Sequence, residues 1–211
     1  MHVLSVNVGM PAEVEWRGEG VLTSIFKRPV RGRIRVGSLN LVGDAQSDLA
    51  SHGGRFKAVY AYPSEHYPHW REQFPELDLP WGVFGENLTT EGLVEDGVRI
   101  GDRFRVGSAE ITVAQPRIPC YKLGIRFGQP DIVKRFQASG LSGVYFEVTH
   151  EGELGPGDDL VRVATDADAP SISDITALFR AKAPDRAQLE RAAALPSLGP
   201  EWRNHFLRRL D

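Results

Sequence analysis

The residues best suited to chemistry lie around Cys120, the only cysteine among the 211 residues. A cysteine thiolate is a nucleophile and a soft metal ligand, and nearby positive charge stabilises it. Arg117 and Lys122 flank this cysteine, and two prolines stiffen the backbone before it. A lone cysteine is by default a small buried apolar side chain. The cations, the proline-bounded loop and the strand-like residues 110–114 leading into it favour a reactive or ligand-binding thiol instead.

A second candidate stretch begins at Asp48 and contains His52, the Gly53-Gly54 pair and Lys57. Paired glycines adopt backbone conformations closed to other residues, so their successive N–H groups can form an anion-binding nest. Lys57 would add a positive charge for a phosphate. The alternative is a solvated turn before a strand. The flanking histidine and lysine make a functional loop held on a rigid scaffold an equal alternative to that turn.

Two further stretches carry polar groups with simpler alternatives. In residues 84–89, Glu86 could transfer protons and Asn87 offers both a donor and an acceptor. For Glu86 alone, a polar turn entering a strand is the preferred interpretation. Residues 23–31 contain three cations within five positions, including Arg28, and could hold a phosphate. A charge cluster of this size is usually a solvated face.

Composition limits the classes of protein that this chain can represent. With 41% hydrophobic and 25% charged residues it is an ordinary globular chain. One cysteine excludes an intramolecular disulfide and a four-cysteine iron–sulfur cluster. The net charge of −3 gives no basic footprint for a nucleic-acid polymer. No apolar run approaches the roughly 20 residues that span a membrane, and the start lacks signal-peptide features. We therefore expect a cytoplasmic protein without membrane or nucleic-acid partners.

The elements that must position these residues are mainly strands. Short alternating or apolar runs separated by glycine-rich turns predict a β-barrel, closed or partly open. Two helices should interrupt it, one over residues 64–74 and one over 131–139, the latter capped by Asp131 and Gly140. The strand-like runs are residues 3–8, 31–37, 57–62, 101–107, 110–114, 143–149 and 159–163.

The composition changes near residue 165, which predicts a β-barrel domain over 1–165 and a small three-helix domain over 166–211. Ser171 to Asp174 resembles a capping box and should open the first helix. Asp185 can cap the second helix, and Pro200 suits the first position of the third.

Taken in order, these stretches resemble the MOSC family, the C-terminal domain of molybdenum cofactor sulfurases, and in particular its stand-alone YiiM-type subgroup with a three-helix extension. The resemblance covers essentially the whole chain. The segments that carry it are 26–30, 43–49, 52–54, 57–59, 65–67, 84–88 and 116–123.

The resemblance implies a barrel that holds the molybdenum–molybdopterin cofactor, with Cys120 as the metal ligand. It also implies reduction of N-hydroxylated compounds, such as hydroxylaminopurine-type bases and amidoximes, and a homodimer. Catalytic roles would then fall to Cys120, Glu86 and His52. The cofactor-binding residues would be Lys57, Gly53, Gly54, Asn87, Arg117, Lys122, Arg28 and Asp48.

The residues leave other functions open. Cys120 could instead carry sulfur as a persulfide, which would make the protein a non-redox sulfur or cofactor carrier. The chain could also be a non-catalytic phosphate-binding barrel in which the thiol is inert. If it is a reductase, its electrons must come from a separate reductase, because the sequence shows neither an iron–sulfur ligand set nor a flavin or nicotinamide fingerprint.

Overall fold

A computed structural model describes residues 1–48 and 53–210. Its strands are β1 (His2–Val8), β2 (Ala12–Trp16), β3 (Glu19–Thr23), β4 (Arg28–Pro29), β5 (Ile34–Val36), β6 (Val59–Pro63), β7 (Leu88–Glu91), β8 (Arg103–Val106), β9 (Ala109–Pro116), β10 (Val144–His150), β11 (Gly152–Leu154) and β12 (Leu160–Ala164). Its α-helices are α1 (Tyr67–Gln73), α2 (Tyr121–Phe127), α3 (Ile132–Ser139), α4 (Ile172–Arg180), α5 (Arg186–Ala194) and α6 (Pro200–Leu207). Short 3₁₀ turns cover Arg55–Lys57, Ser64–His66 and Glu95–Gly97.

Eight strands form one sheet in the order β12-β8-β9-β10-β6-β7-β1-β4. All of its pairs are antiparallel except β6 with β7. The edge strands β12 and β4 do not pair in the described part of the chain, so the sheet is not closed, and of the two forms expected, closed or partly open, the closed one is wrong. In the described part of the chain its two ends approach each other at one corner, where Val3 N donates to Asp158 O at 2.9 Å, Gly157 N donates to Val3 O at 2.8 Å, and Leu160 N of β12 donates to Met1 O at 2.9 Å.

Strand β6 lies near the middle of the sheet and separates two hydrophobic clusters. Side chains alternate across a strand, so Val59 and Ala61 join the main core while Tyr60 and Tyr62 join a mostly aromatic cluster on the other face. This second cluster, which we call the aromatic cluster, contains Tyr60, Tyr62, Tyr67, Trp70, Phe74, Leu79, Val83, Phe84, Leu123, Phe127, Ile132 and Phe136.

The last three helices begin where local capping signals predict them. Ser171 Oγ accepts from Asp174 N at 3.0 Å and Asp174 Oδ2 accepts from Ser171 N at 2.9 Å, which is the reciprocal capping box. Asp185 caps α5 through Gln188 N, and Pro200 opens α6. Buried residues of this extension belong to the main core cluster, so the extension packs directly on the sheet.

Most other predicted elements are confirmed, including the hairpin β8–β9 and the helix α3. Gly140 ends α3 in the left-handed conformation as predicted, but the predicted cap at Asp131 is wrong, because its side chain makes no capping hydrogen bond and accepts from Arg135 Nε instead. Helix α2 was missed. Its N-cap Cys120 makes no side-chain capping bond, so no local signal marks its start. It is held by tertiary packing, because Leu123 and Phe127 are buried in the aromatic cluster.

The hairpin β2–β3 was also missed.

Among the described residues, no helix is both long enough and apolar enough to cross a membrane.

Candidate functional site

Cys120 lies between the end of β9 and the start of α2, at the rim of a small cavity. Its backbone is extended (φ −117°), and the residue is half-buried. The cavity has a volume of about 80 Å³. We call it the thiol cavity.

Four cations line the thiol cavity: Lys27, Lys57, Arg117 and Lys122. The Lys27 and Lys57 side chains are 9% and 12% exposed, and Arg117 and Lys122 are each 8% exposed. Asp44 is the one carboxylate among the described lining residues. The cavity therefore carries an excess of positive charge in a partly desolvated place, where charge interactions are stronger than in water.

A buried polar network fixes one wall of this cavity. Asp44 accepts hydrogen bonds from Lys27 Nζ, from Gly9 N at 2.8 Å and from Asn87 Nδ2 at 2.8 Å. Asn87 Oδ1 in turn accepts from Tyr60 N at 3.1 Å. Burial lowers the pKa of Lys27, and the adjacent Asp44 carboxylate opposes that change. Asn87 thus serves as both donor and acceptor, as its side chain allows.

Arg117 is a buried residue of the cavity wall. Its guanidinium donates to Phe84 O and lies 4.7 Å from the centroid of the Tyr60 ring. Burial acts to lower the pKa of Arg117, but Tyr60, Tyr145 and Cys120 together raise it. Arg117 therefore stays charged and interacts electrostatically with the Cys120 thiol.

Tyr145 also lines the cavity. Burial raises its pKa, with Arg117 acting in the opposite direction, so the phenol keeps its proton at neutral pH.

The C-terminal extension contacts one residue of the cavity wall, Lys57. The Lys57 Nζ lies 2.7 Å from Glu201 Oε2 on α6. Close by, a Cβ on Gly199 would lie 1.9 Å from Gln115 Oε1, so a larger residue there would displace that buried glutamine. The extension is therefore part of the surroundings of the site.

Glu86 is buried at 0% exposure and is not among the cavity-lining residues. Its Oε1 accepts from Tyr67 Oη at 2.5 Å, Gly82 N at 2.7 Å and Thr89 Oγ1 at 2.9 Å. Its Oε2 accepts from Phe84 N at 3.1 Å. Burial raises the pKa of Glu86, and these hydrogen bonds act in the opposite direction.

The remaining predicted residues are not brought to the cavity wall. Arg28 is exposed on β4, and Asp48 is half-buried. Gly53 and Gly54 precede the turn that carries Lys57, and Gly54 has φ +93°, which favours glycine. None of these four lines the cavity. The predicted catalytic residue His52 lies outside the described residues.

The structure adds residues to the site that the sequence analysis did not select. Lys27 was passed over in favour of its neighbour Arg28, although both belong to the same cationic stretch. Asp44 stands in a Gly-Asp pair typical of a turn, and only its buried contacts show its position at the cavity. Ser47 accepts from Lys122 Nζ at 2.9 Å.

The donor set at this site is a single thiol among cations. In the described part of the chain, no group of three or more His, Cys, Asp or Glu side chains is arranged to hold a metal ion.

Comparison with known families gives two matches, a MOSC domain over residues 48–161 and a YiiM-like 3-alpha helix domain over residues 170–211. The chain belongs to the MOSC family.

Several relatives extend this family match across the whole chain. The uncharacterized protein YflK of Bacillus subtilis is 39% identical over 99% of this chain and 94% of its own length. Protein YiiM of Escherichia coli is 35% identical over 90% of this chain and 86% of its own length. A protein of Gibberella moniliformis named "Reductase" is 31% identical over 92% of this chain and 35% of its own length.

Solved structures of the same MOSC subgroup have this fold. The crystal structure of YiiM from Geobacillus stearothermophilus matches with a TM-score of 0.84 and 36% identity, covering 100% of this chain and 99% of that one. In both comparisons the match includes the helical extension.

Proposed function

We propose that this MOSC protein is a molybdenum-cofactor-dependent reductase of N-hydroxylated compounds, with Cys120 as the thiolate ligand of the metal. The observation that carries the proposal is the thiol cavity, where four cations and one carboxylate surround a single half-buried cysteine. Family membership and a relative named "Reductase" support a redox role connected with the molybdenum cofactor.

The residues present suit this cofactor chemically. Molybdenum accepts a soft thiolate ligand, and the pterin carries a phosphate that needs cations and hydrogen-bond donors. Lys57 and Lys122 have ammonium groups at the cavity wall for such an anion. The cavity volume of about 80 Å³ suits a single anionic group or the metal end of the cofactor. The rest of the pterin would have to lie beyond it.

The cofactor, when bound, supplies the two-electron chemistry that removes oxygen from an N–OH group. The protein's own residues hold and orient it. Cys120 and Arg117 stand on one short loop, so the thiolate and this cation are positioned together. Lys27, held by Asp44, places a further positive charge in the wall.

The overall reaction consumes two electrons and two protons and releases the amine-type product and water. Tyr145 faces the cavity with its proton held by the raised pKa of the phenol, so it is placed to donate one. Glu86 and His52 remain predictions as proton carriers.

The electrons would come from a separate reductase, since the sequence provides no second redox centre. We also propose that the protein works in the cytoplasm, whose reducing conditions suit a chain with a single cysteine, and, from the family resemblance, that it is a homodimer. Molecular mass measured by light scattering at micromolar concentration tests the dimer, and a monomer mass would contradict it.

Metal and pterin analysis of wild type and Cys120→Ala, both made in a host that synthesises the cofactor, tests the function. We expect near-stoichiometric molybdenum in wild type and loss of molybdenum in the variant, together with loss of amidoxime reduction. Cys120 is small and half-buried, so unfolding free energy should change by less than about 1 kcal/mol.

Cys120→Ser is the matched control, because it keeps the size of the side chain and lacks the soft sulfur. Retained N-hydroxylamine reduction in Cys120→Ala would refute the ligand assignment. A persulfide on Cys120 found by mass spectrometry, with no metal or pterin in wild type, would favour the sulfur-carrier function instead.

A further inference from the structure

A second cavity lies between the loop that carries Cys120, helix α3 and the helical extension. One wall is the loop segment Arg117, Ile118 and Pro119, and the others come from α3, α4 and α6. Its volume is about 410 Å³, which is within the range of small-molecule sites. We call it the interdomain cavity.

Aromatic side chains form much of the wall of this cavity. Phe136, Phe179 and Trp202 line it. The rings of Phe179 and Trp202 pack with centroids 5.1 Å apart and planes 53° apart, and Trp202 is 4% exposed. These rings are held by packing, so their exposed faces and edges offer a fixed surface for a flat ring.

The charges around the interdomain cavity are all positive. Arg117, Lys134 and Arg180 line it, and its described lining includes no carboxylate. Arg180 is exposed on α4, and its Nη2 donates to the carbonyl oxygen of Ala138, another lining residue on α3, at 2.9 Å. A fixed guanidinium at the edge of an aromatic cavity suits an anionic group on the ligand.

We propose that the interdomain cavity binds a planar aromatic compound carrying an anionic group, such as a nucleoside monophosphate. The aromatic walls would hold the ring, and Arg180 and Lys134 would hold the anion. Arg117 lines both cavities, so such a compound would share a cation with the thiol cavity. The proposal stands whatever reaction takes place at Cys120.

Isothermal titration of the full chain with adenosine 5′-monophosphate, adenosine and inorganic phosphate tests this site. We expect the monophosphate to bind more tightly than either of the other two probes, because only it engages both walls and cations. Arg180→Glu should weaken monophosphate binding by about tenfold or more, the order expected for losing a charge-assisted contact. The affinity for adenosine should change much less.

Two matched variants locate the binding. Arg135→Gln alters an exposed arginine on the same helix α3 that pairs with Asp131 and does not line the cavity, so it should leave the affinity unchanged. Lys122→Gln alters the thiol cavity and should also leave it unchanged. Monophosphate binding that is no tighter than phosphate binding would overturn the proposal. So would an affinity lost in Lys122→Gln and kept in Arg180→Glu, because the anion would then occupy the thiol cavity.

Discussion

Asp44 and Glu86 are both buried carboxylates beside Asn87, but their surroundings differ in charge. Asp44 accepts a hydrogen bond from the Asn87 side chain, and Glu86 precedes Asn87 in the sequence. Asp44 pairs with the Lys27 ammonium and faces the thiol cavity. Glu86 accepts only from neutral donors and lies away from the cavity, against the aromatic cluster. The comparison teaches that a buried carboxylate indicates a functional site when it pairs with a charged side chain and lines a cavity that is open to a ligand. Glu86, with every partner neutral, resembles a structural cross-link.

The strongest test of this contrast is Glu86→Ala. It leaves the N–H groups of Gly82 and Phe84 and two buried hydroxyls without their acceptor, so we expect the free energy of unfolding to fall by roughly 3–5 kcal/mol. Urea denaturation measures this loss. Glu91→Ala, at the exposed end of β7, is the control and should cost less than about 0.5 kcal/mol.

The pH dependence of this loss follows from the raised pKa of Glu86. Because the folded pKa lies above the ordinary value of 4.5, the stabilisation is complete below that value and declines as pH rises through the folded pKa. The deficit of Glu86→Gln relative to wild type should therefore shrink as pH rises. A variant with normal stability and lost reductase activity would instead support the prediction that Glu86 is catalytic.

A smaller effect is expected for a substitution in the thiol cavity, which Asp44 lines. Lys122→Gln removes one of four cations from the thiol cavity, so phosphate affinity should fall by about three- to tenfold, with a weaker dependence on salt. Titration calorimetry with inorganic phosphate measures this change. Lys182→Gln, at an exposed lysine of the extension, serves as the control. Equal losses in both variants would mean that overall charge, and not the cavity, determines binding.

The smallest effect concerns Glu201, whose carboxylate is 60% exposed and pairs with Lys57. Glu201→Gln removes a negative charge that competes with a bound anion, so phosphate affinity should rise about two- to threefold. Stability should change by less than about 1 kcal/mol, as for other exposed ion pairs. Glu190→Gln breaks a similar exposed pair with Arg186 on α5 and should leave phosphate affinity unchanged. A loss of affinity in Glu201→Gln would show that this carboxylate orients Lys57 rather than competing for it.

Local signals predicted much of the molecule. The capping box at Ser171 and the proline at 200 each depend on only a few consecutive residues, which is why the extension could be predicted from the sequence. Cys120, Arg117 and Lys122 could be grouped because one short loop carries all three.

The features that were missed depend on distant pairing. Which of Lys27 and Arg28 faces the cavity depends on how β4 pairs with β1, where Val8 lies opposite Arg28. The same holds for Glu86 and Asn87, whose side chains diverge at the entry to β7. Closure of the sheet depends on edges far apart in sequence, and no local pattern reports whether they meet.

The hydrogen bonds that join β1 to the segment before β12 have a consequence for how the protein folds. Val3 is made early in synthesis, while its partners Gly157 and Asp158 follow most of the chain later. Contacts with such large sequence separation slow folding, because a long loop must close before they form. A growing chain would carry the start of β1 without that partner until the last strand emerges. An exposed strand edge during this interval is a hazard for intermolecular pairing, so the yield of folded protein should depend on how quickly this one corner closes.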